Sequence, residues 1–334
     1  MVQVAVVKGT DPYETTLEAL KLIGNEIKIP KAPVVLKPNL LLTENFPLVV
    51  TAPEVCAAVA DFLIDVKKTK QIILAEGTTM GNPPDTFESM QNNGYTPFQD
   101  RWTPINLSID PPSKWFPLYS VKDPRKLEIG IAQTIMNCPF LVSIPKFKTH
   151  DVLGLTLSLK NLMGTLVAVR DADTQQIIAR ETTKTTAYMH GYGPKKPDKL
   201  SDALNIGPSK VALAINLNRL AKVIQPSLAV IDGIVVMEGD GPAQGVKKSL
   251  NLIIASTDFI AADTVATYIA GMNPLHIQYI HCAGLNGLGE YRLNHISIVG
   301  EPLDSITSPF APHHLFQRAK FSEPQISTLL SNIT

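Results

Sequence analysis

Cysteine is scarce in this chain: Cys56, Cys138 and Cys282 are the only three. They lie far apart and form no CxxC pair. A cysteine-held zinc or a ferredoxin-type cluster therefore has no support, and no iron–sulfur cluster is expected. Charge is sparse too, 18% of residues against a usual quarter or so. Its two signs cancel, with 30 Lys+Arg and 30 Asp+Glu. That balance argues against nucleic acid or an acidic membrane surface as partner. No apolar run reaches the roughly 18 residues of a membrane span. Met1 to Lys8 is too short for a signal peptide and lacks the charged flank of one. The expectation is a soluble, cytoplasmic protein, and a homo-oligomer stays open. With 45% hydrophobic residues in 334, the core should be large for the surface.

What the chain has in excess is proline, 26 residues, much of it at the ends of short apolar runs. Val2–Val7, Val34–Leu36 and Gln71–Ala75 read as strands, separated by helix-like stretches Pro12–Ile27 and Ala52–Val66. Thr51 reads as the cap of the second helix, with Pro53 and Glu54 suiting its first turn. This β-α-β-α-β alternation predicts an α/β fold: a mainly parallel, Rossmann-like layered sheet with helices on both faces and irregular insertions. Further strands are read at Phe140–Ile144, Leu228–Ile231, Asn251–Ala255 and Ile296–Val299, and helices at Gly154–Met163, Leu200–Lys222 and Asp258–Ala270. Insertions are placed at about 95–125 and 170–208, the second as a lid. A single domain is expected over 1–300, with 301–334 a peripheral tail.

The most informative stretch is Phe140 to Gly164. An apolar run stops at Pro145. Lys146, Lys148 and His150 follow at once, and Lys160-Asn161 comes ten residues later. Lysines are costly to bury, so several at one strand end suggest an anion there. Lys37-Pro38-Asn39, Glu76-Gly77 and Asp232-Gly233 end other apolar runs. If those strands are parallel, all four clusters emerge on one edge, where open α/β sheets bind ligands. Arg170 is a further source of positive charge. Glu238 sits in the glycine-rich run Gly239-Asp240-Gly241-Pro242, which also reads as a tight turn between strands with Glu238 solvated. His313-His314 reads as a surface pair without a partner.

Val35-Leu-Lys-Pro-Asn39, Thr51-Ala-Pro-Glu54 and Ala75-Glu-Gly77 carry a resemblance, as do Ile144-Pro-Lys-Phe-Lys-Thr-His150 and Leu157-Ser-Leu-Lys-Asn-Leu-Met-Gly164. Ile231-Asp-Gly, Met237-Glu-Gly-Asp-Gly-Pro242 and Ala262-Asp263 continue it. Together they resemble the domain of unknown function 362 family, over roughly residues 33 to 290. The resemblance implies an α/β fold and little about function. Some members add a ferredoxin-like domain with clustered cysteines, which this chain lacks. His150, Gly154 and Lys160 are also similar to positions in the lactate racemase family. There a lysine anchors a nickel-pincer nucleotide and histidines move the proton. The glycine pair before that lysine is replaced here by Leu157-Ser-Leu159, so the likeness marks a place and not a cofactor.

These readings converge on an enzyme acting on a small anionic substrate, carboxylate or phosphate, by Lys/His acid–base chemistry. His150, Lys160 and Glu238 are the catalytic candidates. Lys37, Asn39, Glu76, Gly77, Lys146, Lys148, Asn161, Arg170, Gly239 and Gly241 are the substrate-binding candidates. The cofactor is unknown; a divalent metal is allowed for, with Asp232 and Glu238 as ligands. The alternative is a non-catalytic binding or accessory protein for a metal or a nucleotide-like cofactor.

Overall fold

The computed structural model describes residues 1–30, 32–81, 84–193, 203–316 and 329–333, apart from the side chains of 182–184 and 203–206. The first half alternates as expected: β1 (Val2–Lys8), α1 (Pro12–Leu22), β2 (Val34–Pro38), α2 (Pro53–Asp65), β3 (Ile72–Glu76), α3 (Thr86–Asn92). Then come β4 (Thr103–Asn106), β5 (Pro112–Leu118), β6 (Leu127–Ala132), α4 (Gln133–Met136), β7 (Phe140–Ile144), β8 (Lys146–His150), β9 (Gly154–Thr156) and α5 (Ser158–Asn161). The middle holds β10 (Leu166–Asp171), β11 (Ile177–Arg180), α6 (Thr182–Met189) and α7 (Ala203–Val223). The chain continues through β12 (Leu228–Glu238), β13 (Val246–Ser256), α8 (Phe259–Ile269), α9 (Gln278–Leu285), β14 (Ile296–Gly300) and α10 (Leu303–Ile306).

The central sheet runs β14-β1-β13-β12-β7-β2-β3-β4, with β8 paired to β12 and β9 paired to β8. It is mainly parallel; β13 runs against both of its neighbours and β9 against β8. Helices cover both faces, so the fold is α/β. β2 and β7 are buried at every residue, as strands covered on both faces must be. One apolar core holds Leu20, Phe62 and Leu63 against the strands. The other spans the central sheet, α7, α8 and a second sheet. That second sheet, β11-β10-β6-β5, is antiparallel.

Several expectations change. The insertion at 95–125 is not wholly irregular: β4 joins the central sheet and β5 the second. The stretch from 170 supplies β11 and α6 before residues 194–202, which lie outside the described ones. Gly154–Met163 is no single helix, since its alternating Thr and Ser begin as β9. Thr51 does not cap α2, whose N-cap is Ala52. Phe310 and Phe316 are buried in the larger core, so 301–316 is held more firmly than a peripheral tail.

The main departure is β8. Pro145 lacks an amide donor and breaks the run of β7, but pairing to β12 resumes at once, with Asp232 beside Lys146 and Met237 beside Lys148. β12 is longer than its apolar start suggested and reaches past the edge to accompany β8. It then turns through the Gly239–Gly245 loop into β13, with which it is antiparallel. The loop is thus a turn between strands, but Glu238 at its start is paired with Lys248 and not solvated.

Candidate active site

β12, β7, β2 and β3 are mutually parallel. Their carboxyl ends thus bring Lys37, Glu76, the β8 segment and Asp232 to one edge. Three lysines there are buried. Lys37 Nζ donates to Glu76 Oε2 at 2.7 Å, Asn161 Oδ1 at 3.0 Å and Pro38 O at 3.0 Å. Asn161 in turn donates to Lys37 O at 2.9 Å and Ser143 Oγ at 3.1 Å, locking α5 onto β2 and β7. Glu76 Oε1 accepts the Gly77 amide at 2.9 Å. Gly164 backs this pair so closely that a Cβ would strike Glu76 Oε1, which explains a glycine there. Lys146 Nζ pairs with Asp232 Oδ2 at 2.9 Å, and that oxygen also accepts the Ala52 amide at 2.8 Å.

Lys148 differs. Its Nζ donates to Val49 O at 2.9 Å and Asn39 Oδ1 at 3.4 Å, both neutral oxygens. Burial first, then the charges of Lys160 and Lys146, hold its pKa well below the ordinary lysine value. An amine in these surroundings favours its neutral, nucleophilic form.

A cavity of about 310 Å³ opens at this edge. Lys148, His150, Lys160, Asn39 and His190 are among its polar lining, with Glu76, Gly77 and Asn161 also in the wall. Asn39 Oδ1 is turned to Lys148, while the described residues offer its Nδ2 no hydrogen-bond acceptor. Lys160 is carried by the single turn α5, whose start is fixed by Asp263. Its two carboxylate oxygens accept the Ser158 and Leu159 amides at 2.8 and 3.0 Å. Burial pushes the Asp263 carboxyl up to about 7, with those amides pulling the other way.

His150 Nδ1 lies 2.9 Å from Asp151 Oδ1, and the Val152 and Leu153 amides approach it at 3.1 and 3.3 Å. The Val152 amide is nearer the carboxylate, at 2.8 Å. Two amides donate to Nδ1, which makes it the acceptor and puts the proton of the neutral ring on Nε2. The His190 ring lies almost parallel to that of His150, centroids 6.4 Å apart, and its Nδ1 is 2.9 Å from Ser209 Oγ.

The cavity thus brings together His150, Lys160, Lys148, Asn39, Glu76, Gly77 and Asn161. Lys37 lies behind them and is committed to Glu76. Lys146 lines a second cavity, of about 640 Å³, with Asp232, Thr51 and Asn45, so the two β8 lysines do not serve one anion. Arg170 is a correction: on the second sheet it donates to Glu128 at 2.7 Å and covers the Trp115 ring. Glu238 is another. It ends β12, pairs with Lys248 at 3.2 Å and accepts the Ala311 amide at 3.0 Å. Gly239 and Gly241 shape the hairpin turn and leave the lining to Pro242. Asp232 and Glu238 cannot share a metal, since six residues of strand, about 20 Å, separate them.

Sequence reasoning missed His190, which no local motif marks, and Asp263, which the resemblance carried without a role. It also left His313-His314 partnerless. His314 Nδ1 meets Asp240 Oδ1 at 2.7 Å, and His313 lies beside them. Among the described residues these three form the one cluster of metal-type donors. His313 Nδ1, however, accepts the Leu315 amide at 3.0 Å, which puts the ring proton on Nε2, the nitrogen facing Asp240. The cluster is hydrogen-bonded in a way that opposes a metal there.

An α/β protein with a lysine- and histidine-lined cavity at the carboxyl edge of its sheet is the class these features define. The chain belongs to the domain of unknown function (DUF362) family, matched over residues 34–268. It is 29% identical over 267 residues to the thylakoid-associated protein sll1697 of Synechocystis sp., covering 79% of this chain and 70% of that one. Among solved structures it resembles the lactate racemase apoprotein from Thermoanaerobacterium thermosaccharolyticum at a TM-score of 0.44 and 12% identity. That match covers 81% of this chain but only 58% of the racemase. Of the three positions that suggested a racemase-like place, His150 and Lys160 line the cavity; Gly154 packs against Phe316 and Ile277 instead. Among the described residues, no helix is long and apolar enough to cross a membrane.

Proposed function

We propose that this chain is an enzyme that binds a small anionic substrate in the 310 Å³ cavity and moves a proton on it. The observation that carries the reading is the joint lining by two amines and two imidazoles, Lys148, Lys160, His150 and His190. Lys160 and the Asn39 amide group supply donors for a carboxylate or phosphate. His150, held by the Val152 and Leu153 amides, supplies the imidazole that carries the proton. Volume supports the reading as well, since the cavity is at the small end of ligand sites.

Calorimetric titration of short carboxylates and inorganic phosphate at low salt tests it, comparing wild type with Lys160→Gln and Asn39→Ala. Affinity is expected to fall roughly tenfold or more in Lys160→Gln, about the loss of one charge-assisted contact. Wild-type affinity should weaken as salt is added. Equal affinities in the three proteins, or none at all, would reject the anion site. His150→Gln should keep the affinity and lose turnover of any substrate found; retained turnover would remove His150 from the chemistry.

A further inference from the structure

We infer that Lys148 is a covalent-catalysis amine, condensing with the carbonyl of a 2-oxo acid whose carboxylate is held by Lys160 and Asn39. This rests on the anionic-substrate reading of the same cavity and adds the substrate class to it. Three buried amines sit at this edge, and two are committed to carboxylates, Lys37 to Glu76 and Lys146 to Asp232. Lys148 is the one held by neutral oxygens, and it lines the cavity. A charged neighbour and a dry wall are the two conditions that keep a lysine nucleophilic near neutrality. Lys160 supplies the first and the burial of β8 the second.

The step balances without an oxidant or reductant. The Nζ lone pair attacks the carbonyl carbon, a C–N bond forms, and the carbonyl oxygen becomes a hydroxyl. Both hydrogens of the amine end on that oxygen, which leaves as water when the C=N bond forms. His150 lines the same cavity and can carry one of these protons. The imine then draws electrons from the adjacent carbon, where proton removal becomes easier.

The full chain is incubated with pyruvate and sodium borohydride, digested, and its lysines mapped by mass spectrometry. Reductive labelling is expected at Lys148, and to a clearly greater extent than at the exposed Lys126. Labelling should disappear from this position in Lys148→Met and fall in Lys160→Gln. Wild type lacking label at Lys148, or labelled no more there than at Lys126, overturns the inference and needs no variant to fold. Calorimetry with isobutyrate, which has the charge and size but no ketone, separates the two readings. Isobutyrate binding without Lys148 label removes the condensation and keeps the anion site; neither binding nor label removes both. Label without isobutyrate binding keeps the condensation and removes Lys160 and Asn39 as the anchor.

Discussion

At Asp263 one buried carboxyl organises the turn that carries Lys160, and its protonation is tied to folding. Burial raises its pKa to about 7 in the folded chain, against about 4 when unfolded. Between these values the folded chain keeps a proton that the unfolded chain has lost. The stability this gives is full below about pH 4 and is lost as pH rises through about 7. Asparagine does not titrate. The stability of wild type relative to Asp263→Asn should therefore drop across this window by up to roughly 1.4 kcal/mol per pH unit. Urea denaturation of both proteins at several pH values reads this; a difference that does not change with pH would show that Asp263 ionises normally. Single residues of this kind were the hardest to read in advance. His190 meets His150 across 40 positions of chain, and nothing local announces it. Arg170 and Glu238 were misplaced because charge alone does not reveal that a neighbouring Glu128 or Lys248 already answers it.

Elements were more legible. The β-α alternation and the shared carboxyl edge followed from short apolar runs ended by Pro, Asn and Gly. The period of two in Lys146-Phe-Lys-Thr-His150 also allows a strand extension with its lysines in solvent; the strand is there, but every residue of it is buried. Its polar face meets cavities and its apolar face the core, whereas alternation is ordinarily read as solvent against core. The joint between strands depends on Thr51. Its hydroxyl accepts the Asn39 amide at 2.9 Å and donates to Ile144 O at 2.6 Å, tying the end of β2 to the end of β7. Thr51→Val keeps the shape and leaves both buried backbone groups unsatisfied. A loss of about 2–3 kcal/mol is expected, read as a lower urea midpoint with unchanged slope. A midpoint equal to that of wild type would mean that the clamp contributes nothing.

At the carboxyl edge of the central sheet, the buried lysines divide into two that hold the fold and one that does not. Lys146→Met strands Asp232 in the interior and should cost about 3–5 kcal/mol. Lys148→Met removes an amine with no carboxylate partner and should melt at or above the wild-type temperature, as substitutions in strained functional sites do. Thermal melts of the two variants side by side check this. Similar large losses in both would make Lys148 a structural residue and weaken its place in the cavity.

The strand β8 is itself a partition. Phe147 packs at a tilt against Phe310, centroids 4.8 Å apart, while Lys148 and His150 on the alternate positions face the cavity. Ligand-contacting segments usually come from the least protected part of a chain. Here the segment is laddered to β12 on one side and β9 on the other. Its amides should consequently be among the slowest in the protein to exchange with deuterium. Lys148 and His150 thus stand on a paired strand, while His190 follows the end of α6 on the cavity wall.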